Sequence, residues 1–142
     1  MKLNQIILAS LFLPVFAHAH GEDQPGPHGG SIRMPGAFHT EVLVNNDKSV
    51  QVYLLDMNFK NPTLKDSKVA VRMENNKKSV PFKCMPMDDH FHCQAEGNSA
   101  LKGKLIVEAT RENAVGNEAV YELPLKLSPK KEKKADNPHQ HH

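Results

Sequence analysis

Apolar residues recur at every second position through most of this chain, in short segments separated by turn-forming residues, and that period restricts it to β-structure. Phe38, Val42 and Val44 share one face of a first segment, with His39, Glu41 and Leu43 on the other. Asn45-Asn46-Asp47-Lys48 marks a turn into Val50 to Asp56, and the two segments are expected to pair as a hairpin. Asn58 to Ser67, with Pro62, reads as a loop. Val69, Val71 and Met73 mark the inner face of a third strand, Val80, Phe82 and Cys84 that of a fourth, and Phe91, Cys93 and Ala95 that of a fifth. Leu105, Val107 and Ala109 follow, and Glu112 to Asn117 turns the chain. Tyr121, Leu123, Leu125 and Leu127 close the series, where Pro124 favours an edge position because it cannot donate to a central ladder. No segment shows helical periodicity. About seven short strands predict an all-β fold, an antiparallel β-sandwich that is Ig-like or related, with a partly closed barrel as the alternative.

The ends of the chain have a different character. Lys2, the apolar run Ile6 to Phe16 and the small residues of Ala17-His18-Ala19 have the layout of a secretory signal peptide over residues 1–19, with the mature chain starting at His20. The run is too short to span a bilayer. No cysteine follows it to carry a lipid, so an exported, periplasmic or secreted protein is expected, with no stable membrane insertion after signal removal. Of 142 residues, 123 remain, enough for one domain. Residues 20–30, rich in Gly, Pro and acid, are expected to form a flexible amino-terminal arm, 31–127 the β domain, and 128–142 a disordered Lys/His tail. Lys plus Arg number 18 against 16 Asp plus Glu, a balance that makes no case for nucleic acid.

Two cysteines, Cys84 and Cys93, fit one disulfide across a hairpin in an oxidising compartment. A thiolate metal site is the alternative, and it requires both to stay reduced.

Histidines and methionines carry the functional signal. Imidazole is the commonest metal-ligand side chain. His28, His39 and Glu41, with Met34 nearby, make one candidate set, because His39 and Glu41 leave the same face of a strand and the arm carrying His28 is able to fold over them. Two imidazoles and a carboxylate suit zinc or copper(II), and a thioether shifts the preference to copper. The plainer reading is ordinary polar residues on a half-buried sheet. A second set is Met85, Met87, His90 and His92, which flank the acidic pair Asp88-Asp89 at the tip of the expected cysteine hairpin. Soft donors of this kind suit copper(I), although methionine is also a common gap-filler and the histidines read equally as solvated. By parity His90 and His92 point outward, away from the bridge. A third candidate is His20, whose α-amine and ring nitrogen would chelate copper(II) together if cleavage follows Ala19. The tail, with His139, His141 and His142, suits weak metal uptake by composition alone.

Pro27-His28-Gly29-Gly30, then Phe38-His39-Thr40-Glu41-Val42, then Val50-Gln51-Val52-Tyr53-Leu54-Leu55-Asp56 resembles the small exported β domains found with bacterial heavy-metal efflux and copper-resistance systems. The resemblance covers roughly the first third of the mature chain. It implies an all-β domain that binds a heavy-metal ion, and it points to His28, His39 and Glu41. The Met85 to His92 segment and the cysteine pair lie outside the motif.

Enzyme signatures are absent: there is no Gly-x-Ser-x-Gly elbow, His-Glu-x-x-His helix or phosphate-cradling glycine loop. The expectation is a non-catalytic, periplasmic transition-metal-binding protein. A copper ion is the first choice and a zinc ion the second, in metal buffering, delivery or resistance by ligand exchange. The alternative is an interaction module that binds an efflux or other envelope protein partner, with incidental histidines.

Overall fold

The computed structural model describes residues 25–126, which form nine strands and no helix. The signal segment, the His20 start and the His139 to His142 tail lie outside the described residues. The strands are β1 (Ser31–Arg33), β2 (His39–Val44), β3 (Val50–Leu55), β4 (Lys68–Asn75), β5 (Lys78–Met87), β6 (His90–Ala95), β7 (Gly103–Arg111), β8 (Ala114–Val115) and β9 (Ala119–Leu123). Every pairing is antiparallel, in the order β1-β2-β3-β6-β5-β4-β7-β8, with β9 also on β7.

One strand joins the two halves of this sheet. The first part of β5, Lys78 to Pro81, pairs with β4, and the second part, Phe82 to Met87, pairs with β6. At the far ends β1 comes against β9 without a ladder between them. Arg33 stitches this seam: its Nε donates to the Val120 carbonyl at 3.0 Å, Nη1 donates to the Ile32 carbonyl at 2.8 Å, and the guanidinium lies 4.9 Å from the centre of the Tyr121 ring. The continuous, nearly closed sheet is nearer to the partly closed barrel than to two separate layers.

The alternation read from the sequence selects the core. Val42, Val50, Val52, Leu54, Val71, Met73, Phe82, Phe91, Leu105, Val107 and Ala109 all face inward and are buried. Tyr121 is fully buried among them, and its hydroxyl donates to the Thr40 carbonyl at 3.1 Å while taking a hydrogen bond from the Thr40 hydroxyl. Burial pushes the Tyr121 phenol far above the ordinary tyrosine range, so it stays protonated as that donor.

Four expectations change. There are nine strands instead of about seven, because β1 and β8 hold only three and two residues and leave no readable period. β8 lies inside Glu112 to Asn117, expected as a turn alone, and β9 ends at Leu123, so Pro124 follows the strand instead of sitting in it. Val44, at the open end of β2, is exposed. No helix among the described residues is long and apolar enough to cross a membrane.

Cys84 and Cys93 are direct cross-strand partners on β5 and β6, bonded with an S–S distance of 2.08 Å. Replacing both by serine is expected to lower stability by about 2–3 kcal/mol, the chain-entropy value for so short a loop. Urea denaturation with and without the double substitution measures it, and coincident curves would show that packing alone holds the hairpin.

Candidate metal centre

A single row of side chains crosses five strands on the face opposite the core. Glu41 on β2 is the register partner of Tyr53 on β3 and of Ile32 on β1. The Tyr53 ring touches His90 on β6, and His90 is the partner of Met87 on β5. Outward residues of a sheet are usually wet, yet Glu41 is fully buried and His90 is only 6% exposed.

The cover is the segment Pro25 to Gly30. Gly29 N donates to the Gly26 carbonyl and Gly26 N to the Gly30 carbonyl, closing a tight turn, and Pro25 bridges to Ser31. Gly29 sits at φ +82°, a conformation that suits glycine. A side chain on Gly26 would strike the Glu41 carboxylate, so only glycine allows the turn to close on it. Thus the arm expected over residues 20–30 is a folded cap from Pro25 onward.

The turn wraps a carboxylate. Glu41 Oε2 accepts from the backbone amides of His28 and Gly30, both at 2.9 Å, and Oε1 accepts from His28 Nδ1 at 2.6 Å. A buried carboxylate costs several kcal/mol unless it is hydrogen-bonded. Here both oxygens are satisfied. His28 is thereby held flat on Tyr53, with ring centres 3.7 Å apart and planes within 10°. The other side of Tyr53 meets His90 at 4.8 Å. Burial, and after it the charges of Asp89, Glu41 and Asp88, raise the Tyr53 phenol above its ordinary range.

His90 has an unusual hydrogen-bond state. Its Nδ1 lies 3.2 Å from Asp89 Oδ1. A carboxylate only accepts, so Nδ1 carries a proton, and in the neutral ring Nε2 is the nitrogen with the lone pair. Nε2 is buried and has no hydrogen-bond partner among the described residues. An orphaned buried acceptor costs about 1–3 kcal/mol. Carboxylate on one ring nitrogen and a free lone pair on the other is how proteins orient metal-binding histidines. Facing partners on such a hairpin have Cβ atoms about 4.5–5.5 Å apart, which brings Met87 beside His90 and Met85 beside half-buried His92. Both methionines are exposed, Met85 at 49% and Met87 at 41%.

The other candidate residues are placed differently. His39 shares the face of Glu41, but its Nδ1 donates to the Asp56 carbonyl at 3.0 Å and its ring stacks on Phe59 at 4.0 Å. The Asp56 carboxylate accepts from Asn58 N, Lys60 N and Asn61 Nδ2, and these bonds, the Lys60 amide foremost, hold it below the ordinary carboxylate range. His28 and Glu41 are therefore brought together, while His39 belongs to a separate cluster with this loop. Met34 is exposed. Among the described residues no three His, Cys, Asp or Glu converge to hold a metal ion. The sequence left the Tyr53 stack unseen and offered the folding of the His28 arm over Glu41 only as one option beside a flexible arm. The glycines at 26, 29 and 30 were the available signal for that folding. Comparison with known proteins finds no family, characterised sequence or solved structure that matches this chain.

Glu41→Leu strands two buried amides and is expected to cost about 2–4 kcal/mol, with rapid hydrogen exchange at the His28 and Gly30 amides. Retained protection of those amides would show that the carboxylate does not hold the cap. Because the Asp56 pKa is lowered on folding, its contribution is present above the ordinary carboxylate range and lost as pH falls through the lowered value. The acid limb of a stability–pH profile should therefore flatten in Asp56→Ala, and an unchanged limb would contradict it.

Proposed function

We propose that this chain is an exported transition-metal-binding protein of the periplasm, for copper first and zinc second, that buffers the ion or delivers it by ligand exchange. The observation that carries the reading is His90: its Nδ1 is held by Asp89, and its Nε2 is buried without a hydrogen-bond partner among the described residues. Such an atom lacks what a bound ion supplies. The exposed thioethers across the hairpin suit transfer, since handing over an ion needs donors that an incoming partner is able to displace. The resemblance of Pro27 to Gly30 and Phe38 to Val42 to efflux-associated β domains agrees with this reading, although it points to His28, His39 and Glu41; of these, the His28 backbone amide and Nδ1 are bonded to the Glu41 carboxylate. His28 and Glu41 support the site indirectly, through Tyr53.

The test is calorimetric titration of the mature chain with His139, His141 and His142 changed to alanine, which removes uptake by the tail. One ion per chain is expected to bind. His90→Ala should abolish that saturable binding, and Asp89→Asn should weaken it by about 10–100-fold, the usual effect of losing a partner that orients a ligand. Absence of saturable copper or zinc binding overturns the reading.

A further inference from the structure

We infer that the β5–β6 hairpin is built for a soft univalent cation, copper(I) or silver(I), seated between His90 Nε2 and the Met87 thioether, with Met85 and His92 completing or exchanging with that pair. The inference rests on the metal-binding reading above and adds the charge and chemical class of the ion.

Register supplies the donor set. Met87 faces His90 and Met85 faces His92, so the four side chains form two adjacent cross-strand pairs on one face. An unbranched methionine reaches by bond rotation alone, with no backbone movement. All four donors are uncharged when they bind. Most of the groups that would supply negative charge are committed, the exposed Asp88 at the hairpin tip excepted. Both oxygens of Glu41 are taken by His28 and Gly30. Asp89 is turned to His90 Nδ1. Cys84 and Cys93 are bonded to each other on the opposite, core-facing side, so the only two thiols of the sequence offer no thiolate.

The softness of the donors then decides the ion, and their lack of charge agrees with it. The cost of taking a cation out of water rises with the square of its charge, and a divalent ion in a partly dry site recovers it through anionic ligands. Zinc sites draw on imidazole, thiolate and carboxylate and make little use of thioethers. A thioether is a soft, neutral donor that favours copper(I), and silver(I) shares the same charge and softness. Low coordination numbers are normal for these ions, so one imidazole and one or two thioethers suffice where zinc requires four ligands. This also accommodates the absence, among the described residues, of three converging His, Cys, Asp or Glu.

The experiment uses the mature chain with the three tail histidines changed to alanine. Silver(I), oxygen-free copper(I), copper(II) and zinc(II) are each titrated against a competing chelator, while NMR follows the His90 ring nitrogens and the methionine methyl groups. The expected result is one silver(I) or one copper(I) per chain, with shifts at His90 Nε2 and at the Met87 methyl but not at exposed Met34 or Met57. Affinity for copper(II) and zinc(II) should be at least a hundredfold weaker. Met87→Leu keeps the volume and removes the sulfur. It should weaken silver(I) binding at least tenfold with the urea midpoint unchanged. Zinc(II) or copper(II) binding through His90 as tightly as silver(I), or an unaltered silver(I) affinity in Met87→Leu, overturns the univalent assignment while leaving metal binding intact. Failure of every ion to saturate the protein overturns both.

Discussion

A buried negative charge organises the outward face of this protein. Glu41 sits where a sheet would normally meet water, and three hydrogen bonds from the Pro25 to Gly30 turn make that position tolerable. The consequences run along the row. The carboxylate fixes His28, His28 lies on Tyr53, and Tyr53 backs the ring of His90. The polar end of this relay is a pair of groups that satisfy each other. The other end is a nitrogen that no described residue satisfies. In a folded protein such an imbalance is costly, and its position beside two exposed thioethers gives the proposed function its physical basis.

Much of the fold was legible in the residues. Alternation alone placed Val42, Val71, Leu105 and Val107 inward, and it put both cysteines on the same side of neighbouring strands. It failed where strands are too short for a period to exist, at Ser31–Arg33 and Ala114–Val115. The site was legible only in part. Parity assigns a side chain to a face but not to a neighbour, so it put His90 outward without revealing that Tyr53 would cover it. That contact requires β3 to lie beside β6, a pairing between strands far apart in the chain, which local pattern does not encode. His39 shows the opposite error. Its spacing from Glu41 suggested a shared ion, whereas the Asp56 loop claims its nitrogen and Phe59 its ring.

The hairpin shows how covalent and non-covalent constraints divide the work. A disulfide between direct partners forbids a slip of register, and a slip of one residue would turn Met85, Met87, His90 and His92 toward the core. The same bond withdraws the thiols from metal chemistry. Thus the cysteines shape the donor set twice, by fixing which side chains face outward and by removing themselves from it.

Arg33 has a consequence for how this chain behaves in company. A nearly closed sheet still has two free borders, and borders recruit strands from other molecules. Here the guanidinium occupies carbonyls on both sides of the gap, at Ile32 and Val120, and leaves a positive charge standing in the opening. A strand from a second molecule approaching this gap edge-on would have to displace that charge.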